Sequence, residues 1–145
     1  MIIRTMKPED YEPVIAIWES AGLLIEREGR ESRDSIIKQL SLAEGLMLVA
    51  EDDGKPVGVV IGSHDNRKGW INRLAVSPEK QHAGVATALV KAVEAKFKSI
   101  GMNVIGLLMI DDNEKSAALF KSLGYVRHED IVYYSKREDT RELCC

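Results

Sequence analysis

The sequence predicts an α/β domain in which an antiparallel strand meander runs on into a strand–helix–strand crossover. Three observations carry this reading. Apolar runs at 46–51, 56–63 and 70–76 are separated by two turn signals, Asp52-Asp53-Gly54-Lys55 and His64-Asp65-Asn66-Arg67-Lys68-Gly69. The stretch 85–100 then carries Leu89, Ala92, Val93, Phe97 and Ile100 on one helical face. Past Gly101, a further apolar run at 104–110 suits a strand parallel to 70–76, reached by a right-handed crossover.

The flanking elements follow in order. Ile2-Ile3-Arg4 reads as a first strand, and Pro8-Glu9-Asp10 opens a helix with Val14, Ile15, Ile17, Trp18 and Ala21 at helical spacing. The charged stretch 26–31 reads as a solvated loop, with a specificity loop as the lesser reading. Ser32 is placed to cap a second helix that buries Ile36, Ile37 and Leu40. Asp111-Asp112-Asn113 caps a helix with Ala117, Leu119, Phe120 and Leu123, and Gly124 ends it. Two short strands are expected at 125–128 and 131–136. The sum is a mixed sheet of about seven strands flanked by about four helices. A single domain is expected over 1–137, with a frayed tail at 138–145.

Composition narrows the function classes. With 145 residues, 45% hydrophobic and 30% charged, the chain is long enough for one well-filled core. A formal net charge of −3 gives no electrostatic case for nucleic acid. No apolar run approaches the ~20 residues of a membrane span, and the amino-terminal residues lack the apolar core of a signal peptide. The two cysteines, Cys144 and Cys145, are the last residues, so they form no disulfide framework and stand wrongly for a lipidation box. The expected setting is the cytoplasm. The histidines His64, His82 and His128 are scattered without metal-ligand spacing, so no metal is expected.

The candidate site is the turn Gln81-His82-Ala83-Gly84-Val85-Ala86, which joins the strand at 70–76 to the helix that follows. A helix start presents free backbone N–H groups at the positive end of its dipole, which suits a phosphate or pyrophosphate. Gly84 lets the chain approach a ligand closely, and Ala86 keeps the first turn uncluttered. Alone, this pattern is also an ordinary helix entry. Its place beyond the carboxyl end of a strand, where sheets of this kind bind ligands, favours the phosphate reading.

With these residues the chain resembles the GNAT acetyltransferases. The matching segments are L-A-V-S-P…Q-H-A-G-V-A-T-A-L-V and D-D-N…A-A-L-F-K-S-L-G-Y, which correspond to that family's [RQ]-x-x-G-x-[GA] coenzyme A loop and its later N…A…G-[FY] segment. The resemblance implies a splayed sheet and transfer of an acetyl group from acetyl-CoA to a primary amine, by direct attack in a ternary complex. It implies that the N–H groups of Gln81, His82, Ala83, Gly84, Val85, Ala86 and Thr87 cradle the pyrophosphate. Leu74, Ala75 and Val76 would pair with the pantetheine arm, and an N–H of Leu74 or Ala75 would polarise the thioester carbonyl. Asn113 would contact the cofactor, although it also reads as a plain helix cap, and Phe120 would lie near the thiol.

Phe120 departs from the family pattern, since many relatives carry there a tyrosine that protonates the leaving thiolate. Tyr133 and Tyr134, on opposite faces of the expected last strand, are the alternative acids. The strand at 70–76 also lacks the carboxylate that often serves as base; it has Asn72 and Arg73. Glu51, His64 and Asp65 are the substitutes, acting through water. At pH 7, deprotonating a lysine amine costs about 4.6 kcal/mol and an α-amine about 1.1 kcal/mol. A site without a strong base thus leans toward a low-pKa amine, on a small molecule or a peptide amino terminus. These two departures also motivate a rival reading, a non-catalytic acyl-CoA sensor. A homodimer through the last strands or helices is an assembly this layout allows, symmetric dimers being the commonest.

Overall fold

The computed structural model of the protein describes residues 1–139. The Cys144-Cys145 pair and all but the first two residues of the expected tail lie outside the described residues. The chain forms two compact units, Met1–Leu108 and Met109–Cys145.

In the first unit, β1 (Ile2–Thr5), β2 (Met47–Asp52), β3 (Lys55–His64), β4 (Gly69–Val76) and β5 (Ile105–Leu107) form one sheet in sequence order. The first four strands are antiparallel to their neighbours, and β5 runs parallel to β4. The continuous apolar runs of β2 and β3 have a physical reason, since both faces of the sheet are covered. On one face, Met47, Val49, Val59, Ile61 and Ala75 pack with Val14, Ile15 and Trp18 of α1 (Tyr11–Ser20) and Ile36 of α2 (Arg33–Leu42). On the other face lies α3 (Val85–Ser99), which buries Val85, Leu89, Val93 and Phe97 at four-residue intervals. It lies flat because β3 is bare beneath it. A Cβ at Gly58 would stand 2.9 Å from Val85 Cγ1, and one at Gly62 would stand 2.9 Å from the Phe97 ring. Ile100, expected on the buried face, is 36% exposed, because the helix ends at Ser99.

The termini of the helices follow the sequence chemistry. The Ser32 hydroxyl accepts the Ser35 N–H at 3.2 Å and caps α2. A short 3-10 turn, Pro8–Asp10, precedes α1. There the buried Asp10 carboxylate accepts the Lys7 N–H at 2.8 Å and a two-pronged contact from Arg4, at 2.8 and 3.0 Å. Burial pushes the Asp10 pKa up, but the Arg4 hydrogen bonds, the Lys7 N–H and the positive charges of Arg4 and Lys7 outweigh it and hold the group below its ordinary value. Because the folded pKa is depressed, the stabilisation is complete above pH ~4 and is lost as pH falls through the lower folded value. Urea unfolding at pH 7 and pH 2.5 is therefore expected to show a smaller acid loss in Asp10→Asn than in wild type.

In the second unit, α4 (Glu114–Ser122) is capped by Asn113, whose Oδ1 accepts the Ser116 N–H at 3.2 Å. Two expectations fail here. The segments 125–128 and 131–136 are not strands, and among the described residues the sheet has five strands rather than about seven. Alternating apolar residues make a strand only where a ladder partner exists. Val126, Ile131, Val132 and Tyr134 are instead 70–88% exposed, and Arg127 forms ion pairs with Asp111 and Glu129, each at 2.7 Å. The strand expected at 104–110 is also shorter, since it pairs only with the first three residues of β4. No helix among the described residues is long and apolar enough to cross a membrane.

Candidate active site

The site begins with a change of direction in β4. At its start, the Gly69 N–H donates to the Val104 carbonyl, on the β5 side, at 2.9 Å. At its end, the Ser77 N–H donates to the Val57 carbonyl, on the β3 side, at 2.8 Å. Main-chain groups alternate sides along a regular strand, so residues 69 and 77 should point the same way. A bulge reverses them. Ile61 pairs with Arg73 but Gly62 pairs with Ile71, which leaves Asn72 as the extra residue. Past it, Arg73 and Ala75 direct their main-chain groups to β3, and Leu74 and Val76 direct theirs to the opposite side.

That opposite side is open. β5 pairs with β4 only at Gly69, Trp70 and Ile71, so among the described residues no strand faces Leu74 or Val76 there. This is the splay expected from the resemblance, and the bulge decides which groups line it. The Gln81 side chain donates to the Val76 carbonyl at 3.2 Å and so ties the following turn to this edge. Lys80, the residue just before it, is held by Asp52 at 2.7 Å and anchors the same end of the turn. The Lys80 contact keeps the Asp52 carboxylate below its ordinary pKa.

The turn itself leaves main-chain donors unused. Where α2 and α4 have side-chain caps, α3 starts at Gly84, which has φ +80° and no side chain to offer. The first main-chain bond at this end is Ala88 N–H to the Gly84 carbonyl. Among the described residues no acceptor holds the N–H groups of Val85, Ala86 and Thr87. His82 is also left-handed, at φ +65°, a costly conformation for a non-glycine residue that recurs at ligand-holding turns. Two left-handed residues in three turn successive N–H groups into a concave row. The residues from His82 to Gly84 are exposed, and a Cβ at Gly84 would meet nothing within 4 Å. The space beside the helix start, where that Cβ would stand, holds no neighbouring protein atom.

The structure thus brings together Leu74, Val76, Gln81, His82, Ala83, Gly84, Val85, Ala86 and Thr87. Ala75 belongs to the same strand, with its side chain in the α1–α2 core. Asn113, Phe120, Tyr133 and Tyr134 lie in the second unit. Asn113 is exposed and spends its Oδ1 on the helix cap. Phe120 is buried and meets the Tyr125 ring edge-on at 5.0 Å. Tyr133 and Tyr134 are exposed on irregular chain rather than on a strand.

The substitute bases fare differently. His64 pairs with Gly69 at the far end of β4, about 16 Å along the strand from Leu74. It is committed there: its Nδ1 accepts the Asn66 N–H and its Nε2 meets Glu44 at 3.0 Å. Asp65 holds the same turn through the N–H groups of Arg67 and Lys68, and Glu51 is bound to Arg4. The carboxylate that does reach β4 is Glu31, from the stretch read as solvated. It is 6% exposed and bonds Arg73 at 2.7 Å. Forty-two residues separate the two in sequence, so the only available signal was Arg73 itself, a cation on a strand packed against helices that requires a counter-ion.

Comparison with known proteins identifies the family of the chain. The family model for the acetyltransferase (GNAT) family matches residues 11–125. Acetyltransferase plu1384 of Photorhabdus laumondii is 35% identical over 138 residues, which are 94% of this chain and 95% of that one. Ard1 from Thermoplasma volcanium superimposes with a TM-score of 0.78 at 23% identity, over 86% of this chain and 82% of that one. The PaiA N-acetyltransferase of Thermoplasma acidophilum, solved in complex with coenzyme A, gives 0.75 at 20% identity, over 84% and 87%. At those identities the two structures show a shared fold. Nearly full-length similarity to one acetyltransferase, and a family model spanning most of the chain, make this protein a member of the GNAT acetyltransferase family.

Proposed function

We propose that the protein is an N-acetyltransferase that uses acetyl-CoA as donor and a primary amine of low basicity as acceptor. The observation that carries this is the uncapped start of α3, continuous through Gln81 with the open edge of β4. When bound, acetyl-CoA supplies an activated acetyl thioester. The N–H groups from His82 to Thr87 hold its pyrophosphate, and Leu74 and Val76 hold the pantetheine arm. Leu74 rather than Ala75 polarises the acyl carbonyl, because its N–H faces the open edge. One such donor is worth about 2.7–4 kcal/mol in related chemistry.

Proton transfer is the smaller part of this account. Arg73 holds Glu31, so no free carboxylate stands on β4, and the amine must arrive largely neutral. Phe120 cannot protonate the departing thiolate. Water does so, a light task for a thiol with a pKa of roughly 8.5. The acceptor is a small molecule or a peptide amino terminus. The test follows thiol release from acetyl-CoA at pH 7 with alanyl-glycinamide, an α-amine, and with N-acetyl-lysinamide, an ε-amine. At least about a tenfold preference in kcat/KM for the α-amine is expected from the difference in deprotonation cost. Preference for the ε-amine would show that a strong base operates. Phe120 also keeps the sensor reading in play: tight acetyl-CoA binding with silence toward both amines would favour it.

A further inference from the structure

The pair Arg73–Glu31, a half-buried guanidinium on a buried carboxylate, lies one residue from the Leu74 N–H. Glu31 sits at the end of the loop between α1 and α2 and is tied three ways. Its Oε1 accepts from Arg73 Nη2 at 2.7 Å, its Oε2 accepts the Glu26 N–H at 2.8 Å, and its carbonyl accepts the Tyr11 hydroxyl at 2.6 Å. The same Arg73 Nη2 donates to the Leu24 carbonyl at 2.9 Å. The guanidinium lies over the Trp18 ring, 5.1 Å from its centre, where stacking fixes its plane. A single side chain of β4 therefore grips both ends of the 24–31 loop. Leu24, beside that grip, is 51% exposed.

We propose that Arg73 and Glu31 are positioning residues that latch the 24–31 loop to β4 beside Leu74, so that the loop forms the wall against which the acceptor amine is aligned. The proposal rests on the acetyl-transfer reading for its effect on catalysis, but the latch itself is measurable without substrate. Removing the cation leaves a buried carboxylate that the loop can hydrate only by leaving β4. Removing both charges keeps the packing and relieves that pressure, yet still loses the grip on the Leu24 carbonyl.

The test compares wild type, Arg73→Met, the double variant Arg73→Met/Glu31→Gln and Arg73→Lys, all as the full chain. Hydrogen exchange of amides in 24–31 is expected to rise at least tenfold in Arg73→Met and in the double variant, while exchange in 47–61 stays at the wild-type rate. The double variant keeps the question open to refutation if Arg73→Met folds poorly. With alanyl-glycinamide or N-acetyl-lysinamide, whichever is acetylated faster, KM for the amine is expected to rise at least tenfold. The change in kcat should stay within threefold and acetyl-CoA affinity within threefold, and Arg73→Lys should recover part of the loss. Unchanged protection at 24–31, or loosening spread evenly through 47–61, overturns the latch. A loosened loop with an unchanged KM for the amine overturns its role. If wild type binds no acetyl-CoA and acetylates neither amine, the acetyl-transfer reading fails, and the exchange result still decides the latch.

Discussion

Gly84→Val is expected to reduce acetyl-CoA affinity at least 100-fold, about 2.7 kcal/mol, in a protein that still folds. The two halves of this prediction have separate causes. A side chain at φ +80° costs about 1–2 kcal/mol of backbone strain, but no protein atom lies within 4 Å to clash with it. The space it fills is the one a pyrophosphate needs, beside the free N–H groups of Val85, Ala86 and Thr87. Gly101→Val is the matched control, because Gly101 has φ +86° and equally empty surroundings at the other end of α3. Isothermal titration of both variants checks the claim. Equal affinity in the two would show that the turn does not hold the donor.

Phe97→Ala is expected to lower stability by about 3–5 kcal/mol, which for a domain of this size is about 10–15 °C in Tm. Phe97 is fully buried, and its ring lies where α3 crosses two bare strand positions. A Cβ at Gly69 would come within 2.6 Å of it, and one at Gly62 within 2.9 Å. The strands are close-packed around this ring, so little collapse into the cavity is available. Ile100→Ala, three residues on and 36% exposed, is expected to cost under about 1 kcal/mol. Thermal and urea unfolding of the two variants separate these outcomes.

The parts of this structure legible in the sequence are those specified by neighbouring residues. The strands β2 to β4 stand within one or two residues of their expected limits, because turn residues bracket each apolar run. Ser32 and Asn113 cap the helices they were expected to cap, since capping is chemistry within one turn. Gly84 marks the start of α3 for the same reason. What escaped depends on partners distant in sequence. The bulge at Asn72, which turns Leu74 rather than Ala75 toward the open edge, arises from the register between β3 and β4 and leaves no local mark. Glu31 reads as one charge in a solvated run until the fold brings Arg73 against it. The segments 125–128 and 131–136 have strand-like patterns, but pattern alone supplies no ladder.

Sequence also overstated the reach of some groups. His64 ends β3 and Asp65 follows it, which puts both close to β4 in the chain, yet they close the hairpin at the end remote from Leu74. The carboxylates Glu51, Glu31 and Asp65 are each engaged by a cation or by backbone N–H groups. That is the structural basis for expecting a weakly basic acceptor.

The central claim is that the turn before α3 and the open edge of β4 together hold acetyl-CoA. The most direct measurement is a titration of the ¹⁵N-labelled protein with acetyl-CoA, following each backbone amide by NMR. The account predicts saturable shifts at His82, Ala83, Gly84, Val85, Ala86 and Thr87, and at Leu74 and Val76, whose N–H groups face the open edge. Ala75, bonded toward β3, should move less than Leu74. Binding that leaves the 82–87 amides unmoved, or no binding at millimolar ligand, would contradict it.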